Sequence, residues 1–274
     1  LTGVPALTQG HGLSIRPAVT GSAGVNGPGQ PVGGTADLSL DVTQRLGPNL
    51  ISSLSVRTDF AESEVDTRRT NLTRFPLFFP ETRTFFLEGS DTFQFGLGLG
   101  NDVIPFFSRR IGLVAGREVP ILAGGKVNGR VGRTELGAVV TRTQRLAGVA
   151  PEAAMGAVRV KQNFWRESSV GLIATVGDPL GRGGSWLAGP DLTLQTSRFR
   201  GNKNLRAGAW ALALGRDGLR GDRTASGFRV EYPNDLWNMF WSTMRVGESF
   251  DPSLGFVPRA SMYYHRLTVE HAPR

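Results

Sequence analysis

Apolar and polar residues alternate with a period of two along much of this chain. Within Ser168–Val176, the side chains of Val170, Leu172, Ala174 and Val176 are apolar, and the residues between them are mostly small or polar. Val158 and Val160 interleave with Arg159 and Lys161, and Phe228, Val230 and Tyr232 interleave with Gly227, Arg229 and Glu231. Such a period sends alternate side chains to opposite faces and predicts strands with one apolar and one wet face. Short runs rich in Gly, Asn and Asp at Gly129–Arg133, Asn163–Arg166, Arg200–Asn204 and Tyr232–Asp235 predict hairpin turns. Longer Gly/Pro stretches lie at Gly21–Gly34, Gly177–Pro190, Gly215–Asp222 and Gly247–Pro258. Tight turns alternating with long loops are the rhythm of an outer-membrane barrel, and the tally is about twelve strands of about ten residues. The expected fold is therefore all-β: an antiparallel transmembrane β-barrel, partial in this chain, with residues 1–274 as one domain. Helix is expected only at Ser63–Arg74, where Glu64 and Arg68 fall four apart before Pro76.

Composition agrees with a β architecture. Among 274 residues there are 37 Gly and no Cys, which excludes disulfide scaffolds, thiolate metal sites and cysteine nucleophiles. No run of apolar residues is long enough for a transmembrane helix. Of the five Trp, Trp165 and Trp237 flank predicted turns, where an aromatic girdle would meet the lipid–water boundary. The apolar set Val170, Leu172, Ala174 and Val176 is expected to face lipid. The net charge is +8, carried by Arg rather than by the three Lys (Lys126, Lys161, Lys203), and it is spread from Arg16 to Arg274. Even spreading argues against a nucleic-acid face and for Arg side chains lining a wet interior. Arg159, Lys161, Arg206 and Arg229 are expected there, biasing it towards anions. The chain opens at Leu1 without an initiator Met, a basic n-region or an apolar h-region, so any export signal is expected to have been removed or to lie upstream. The last residues follow a strand-like run, so both ends read as cut from something longer.

Residues 57–112 break the alternation, and the irregular segment is placed at about 59–112. Phe75, Phe78, Phe79, Phe85 and Phe86 are packed among Glu81, Arg83 and Glu88, with Arg109 and Arg110 close behind. Such a mixture cannot face lipid, and it needs a protected interior where charges pair and rings pack. The segment is therefore expected to fold inward, with Arg83 bonded to a carboxylate. Two roles remain open for it. It could brace the barrel, or it could grip a saccharide or anionic solute through Phe78, Phe79, Glu81, Arg83, Phe85, Phe86, Glu88, Arg109 and Arg110.

The run Asn71-Leu-Thr-Arg-Phe-Pro-Leu-Phe-Phe-Pro-Glu-Thr-Arg-Thr-Phe-Phe-Leu-Glu-Gly89 resembles the signature of a bacterial domain family of unknown function. Asp59–Asp66, Phe107–Gly112 and Gly247–Arg259 carry the resemblance further along the chain, whereas Thr82 and Thr84 depart from its usual Lys and Pro. That family is usually found C-terminal to a carbohydrate-binding family-nine-like domain and is taken to be an outer-membrane β-barrel. The resemblance implies a Gram-negative outer-membrane location, an absent sugar-binding-like neighbour, and a barrel that continues past Arg274. It brings no catalytic residues.

Other chemistry is thinly represented. Glu81 with Glu88, or Glu62 with Asp66, could be offered as a glycosidase pair, but Arg83, Arg68 and Arg69 stand ready to neutralise them. Gly96-Leu-Gly-Leu-Gly100 and Gly124-Gly-Lys126 lack the context of a phosphate loop. His11, His265 and His271 make neither a metal spacing nor a triad, and the acidic residues near Asn234-Asp235 and Asp251 do not form a calcium loop. No catalytic residue, metal or cofactor is indicated. The expected function is an outer-membrane barrel that binds or passes a solute, with saccharide-derived or anionic solutes as candidates and lipid or lipopolysaccharide as its surroundings. The alternatives are a carbohydrate-active or glycan-binding protein acting through an absent domain, and a soluble β-rich scaffold.

Overall fold

The computed structural model describes residues 12–25, 32–57 and 74–273. One antiparallel sheet of twelve strands dominates it. The strands are β1 (Leu13–Val25), β2 (Val32–Gly47), β3 (Leu50–Val56), β6 (Ile121–Val131), β7 (Thr134–Thr143), β8 (Ala153–Phe164) and β9 (Ser168–Val176). They continue with β10 (Trp186–Phe199), β11 (Lys203–Gly215), β12 (Thr224–Pro233), β13 (Trp237–Val246) and β14 (Met262–His271). Each pairs with its neighbour in sequence except that β3 pairs with β6, across the long irregular connection. The described part of that connection holds an α-helical turn, α1 (Thr84–Leu87), two 3-10 turns (Ser90–Phe93 and Ser108–Arg110), and a two-stranded ribbon, β4 (Leu113–Val114) with β5 (Arg117–Glu118).

All four predicted hairpin turns lie where expected, together on one end of the sheet with the β2–β3 turn. The long connections lie at the other end. Two of the expected loops are shorter than the sequence suggests. β1 and β2 run into Gly21–Gly34, and β10 begins at Trp186, inside Gly177–Pro190. Gly-rich stretches form strand there because the neighbouring strand supplies the ladder that local propensity does not. The expected helix at Ser63–Arg74 lies, but for Arg74, outside the described residues. The sheet is not closed into a barrel: β1 and β14 are its two edges.

The two faces are inverted relative to a water-soluble sheet. On β9, Leu172 is 54% exposed while Ile173 beside it is 0% exposed. Leu172 pairs with Val160 and Pro190, Ala174 with Val158, and Val170 with Leu192, so the outward apolar band continues from strand to strand. The opposite face buries Ser53, Ser55, Lys126, Thr141, Arg159, Thr175 and Asp191. It wraps around residues 74–112; the earlier part of the irregular segment expected at about 59–112 lies outside the described residues. Phe95, Leu99 and Val103 of that segment pack with Ile173, Leu187, Trp210, Leu212 and Val246 from the wall. Phe86 and Ile111 pack with Ile121, Val139 and Met155. Trp210 thus points inward, unlike the exposed Trp165, Trp186, Trp237 and Trp241.

Inward-facing glycines make room for the segment. A Cβ at Gly208 would lie 2.6 Å from Leu97 Cβ, and one at Gly137 would lie 3.0 Å from Thr92 Cγ2. At Gly124 the Phe85 ring would be 3.1 Å away. Gly208→Val is therefore expected to destabilise the fold by about 1–3 kcal/mol through overpacking. Gly125→Val, on the outward face where only Val140 comes within 3.6 Å, should stay within about 0.5 kcal/mol. Denaturant unfolding of the two variants checks the contrast.

Candidate functional site

Arg83 is heavily bonded within the described part of the irregular segment. Its Nε donates to Glu81 Oε1 at 2.7 Å and its Nη2 to Glu81 Oε2 at 2.6 Å, a two-pronged pair formed within one short turn of chain. Nη1 donates to the Ile111 carbonyl at 2.7 Å and Nη2 also to the Ser108 carbonyl at 2.9 Å. The Ser108 hydroxyl donates to Glu81 Oε2 at 2.6 Å, and the guanidinium lies 4.4 Å from the Phe86 ring centre. Burial alone would raise the Glu81 pKa. The bonds and charge of Arg83, with the Ser108 hydroxyl, outweigh it and hold the carboxyl below its ordinary value.

Two further cations tie the segment to the wall. Lys126 on β6 donates through Nζ to the Phe85 carbonyl at 2.6 Å and the Glu88 carbonyl at 2.7 Å. Arg159 on β8, 1% exposed, reaches across β9 to pair with Asp191 on β10 at 2.5 and 2.8 Å. Gly171 lies between them, and a Cβ there would sit 2.4 Å from Arg159 Nη1. Arg159 Nε donates to the Gln94 carbonyl and Asp191 Oδ2 accepts from the Gly96 N–H, so the pair grips the segment backbone from both sides.

The Gly247–Arg259 stretch closes over the same segment. Ile104 and Phe256 exchange backbone hydrogen bonds at 2.9 and 2.8 Å, and Arg110 Nε donates to the Gly255 carbonyl. Asp178, whose side chain is fully buried, holds this loop by accepting from Ser253 Oγ at 2.6 Å and from Arg182 Nε at 2.7 Å. Burial raises the Asp178 pKa, but the Ser253 hydroxyl, the Leu180 N–H and Arg182 together bring it below the ordinary carboxylate value.

The predicted site residues are brought together only in part. Phe78, Glu81 and Phe86 line one cavity of about 260 Å³. Phe79 lies outside it, 5.8 Å from the Arg109 guanidinium, and Arg109 donates to the Pro80 carbonyl. Arg83 stands behind Glu81, Phe85 and Glu88 serve Lys126 through their carbonyls, and Arg110 turns towards Gly255. Glu81 and Glu88 differ sharply in environment, at 10% and 56% side-chain exposure. Sequence reasoning missed Lys126 as an anchor, the Asp191 partner of Arg159, and the Asp178–Ser253 latch. Only the charge of Lys126 and Arg159 at inward positions of their strands could have pointed to the first two.

Arg159, Lys161, Arg206 and Arg229 all lie on the inward face, as expected, and each faces a carboxylate. Lys161 pairs with Glu135 at 2.6 Å, and Arg206 and Arg229 share Glu231 at 3.4 and 2.5 Å.

Arg83→Ala is expected to cost about 3–5 kcal/mol, because it leaves the Glu81 carboxylate buried without its cation. An exposed pair would lose under about 1 kcal/mol, and equilibrium unfolding distinguishes the two. Because the folded pKa of Glu81 is lowered, its contribution is complete above its unfolded value near 4.5 and is lost as pH falls through the folded value. Stability measured against pH should accordingly begin to fall as pH drops below about 4.5, and the fall should be smaller in Arg83→Ala.

Residues 54–131 match the model of a family described as a domain of unknown function, DUF5916. The match takes in the end of β3, the irregular segment and β6, and so includes the Arg83–Glu81 pair and Lys126. No curated protein and no solved structure matches the chain significantly.

Proposed function

We propose that this chain forms part of the wall of an outer-membrane β-barrel whose lumen is occupied by residues 74–112, and that the barrel binds or passes a solute. The observation that carries this reading is the inversion of the sheet. Val140, Val158, Val160, Val170, Leu172 and Val176 are exposed on one continuous face, while charged and hydroxyl side chains are buried on the other. A large exposed apolar surface is unfavourable in water and favourable against hydrocarbon. Exposed Trp165 and Trp237 sit at the tight-turn end and exposed Trp186 and Tyr263 at the other, the two levels at which a bilayer has its interfaces. Closure of the wall would pair the two free edges, β1 and β14, with each other or with further strands.

The tight-turn end of the interior favours a polar solute. Lys161, Glu135, Asn163, Arg206, Gln195 and Glu231 are grouped there in hydrogen-bonded pairs. Arg206 and Arg229 share the single carboxylate of Glu231, so a cation is in excess at that point. Hydroxyl-rich saccharides and anions both suit such a surface, through bonds to the forked guanidinium groups. Lipid and lipopolysaccharide would be the outward partners.

Leu172→Arg tests the membrane reading. In lipid it should cost about 2–4 kcal/mol if the position lies near the bilayer midplane, and an environment-sensitive fluorophore at the same position should report an apolar surrounding. A loss below about 0.5 kcal/mol, or a fluorophore in bulk water, would replace this reading with a soluble β-rich scaffold.

A further inference from the structure

The cavity of about 260 Å³ between the irregular segment and the wall is chemically unlike the polar end of the interior. Five rings line it: Phe78, Phe86, Phe93, Phe106 and Phe107. Val139 of β7 closes its floor, and exposed Pro80, Leu87 and Ser90 form its mouth. The charged groups on its lining are already engaged. Glu81 accepts from Arg83 and Ser108, and Lys126 donates to two backbone carbonyls. Among the described residues, no buried side-chain nitrogen or oxygen lacks a hydrogen-bond partner.

These facts select an occupant. A sugar entering the cavity would give up water around its hydroxyls and find few free groups to replace it, which costs free energy for each one. Glu81 is paired with Arg83 and Lys126 has the Glu88 carboxylate 3.9 Å away, so neither leaves a net charge for a charged ligand to answer. A neutral apolar molecule loses nothing and gains the burial of its surface. Size narrows the choice, since a dry apolar cavity of about 150 Å³ holds one benzene ring and this one is larger. The rings narrow it further. Phe93 and Phe106 lie 4.9 Å apart and Phe78 and Phe107 5.5 Å apart, and a lining this rich in rings favours another aromatic ring, with its own stacked and edge contacts, over an alkyl chain.

We propose that this cavity is a binding site for a neutral, compact aromatic molecule of about two fused rings. The site goes beyond the solute reading of the polar end and does not depend on where the outward face resides.

Naphthalene is the probe, titrated into the folded protein in detergent micelles with its Val and Leu methyl groups isotopically labelled for NMR. The Val139 and Leu87 methyl signals should shift saturably. Those of outward Val158 and Leu172 should drift linearly, the mark of partition into detergent. Glucose should leave Val139 unshifted and n-decane should not saturate it. Val139→Phe, which fills the floor, should weaken naphthalene binding by at least about ten-fold while leaving the circular dichroism spectrum unchanged. If that variant does not fold, Ser90→Trp at the exposed mouth should do the same. Absence of saturation at Val139, equal saturation by n-decane or glucose, or undiminished affinity in a folded variant would overturn the proposal. Saturation at Val139 with Leu172 in bulk water would sink the membrane reading and leave the cavity standing.

Discussion

A buried guanidinium has five N–H groups to satisfy, and the interior of this protein is organised around satisfying them at Arg83 and Arg159. Neither could stay charged away from water without both a carboxylate and further acceptors. Arg83 obtains its carboxylate from two residues away and its carbonyls from Ser108 and Ile111, so the middle and the end of the irregular segment are joined at one point. Arg159 obtains its carboxylate from the wall and its carbonyl from the segment, so wall and segment are joined at another. Breaking either arrangement exposes unpaired charge in a place that water does not reach freely. Packing of Phe86, Phe95 and Ile111 around these points adds burial, and the charged pairs specify where that burial occurs.

The same arrangement explains the distribution of glycine on the inner face. Gly171 leaves the gap through which Arg159 crosses β9, and Gly137 and Gly208 receive Thr92 and Leu97. A wall built to hold a filled interior must be locally thin where the filling touches it. Glycine at those positions loses cross-strand side-chain packing and gains the close approach. The latch at Asp178 and Ser253 completes the enclosure from the long-loop end, bringing Leu254 and Phe256 onto the segment.

The interior is consequently divided into two environments. Towards the tight turns, paired Lys, Arg and Glu side chains keep a polar surface with one cation in excess at Glu231. Against the middle of β6 and β7, at Lys126 and Val139, phenylalanines close on an apolar cavity. The segment between them carries the Arg83 and Lys126 bonds that hold the division in place.

Much of the fold was legible in the chain itself. Alternation is a local property, and a period of two at Val170–Val176 or Val158–Lys161 dictates which side chains share a face whatever the strand pairs with. The turn residues of the four hairpins are equally local, as is the incompatibility of Glu81, Arg83 and the surrounding Phe with a lipid-facing strand. Tertiary structure decided what local pattern could not. The partner of Arg159 is a residue on a strand two positions away, reached through a glycine, and no spacing in sequence encodes that crossing. Trp210 faces inward because the register of β11 against β10 and β12 puts it opposite Asp191 and Gly227. Strand in Gly21–Val25 exists because β2 lies alongside it. Among the candidate site residues, sequence placed Phe78, Glu81 and Phe86 in one neighbourhood. Only the docking of the segment onto β6 and β7 separated them from Phe79, Arg109 and Arg110 and added Phe93, Phe106 and Val139, because a cavity is a property of surfaces that meet after the chain has folded.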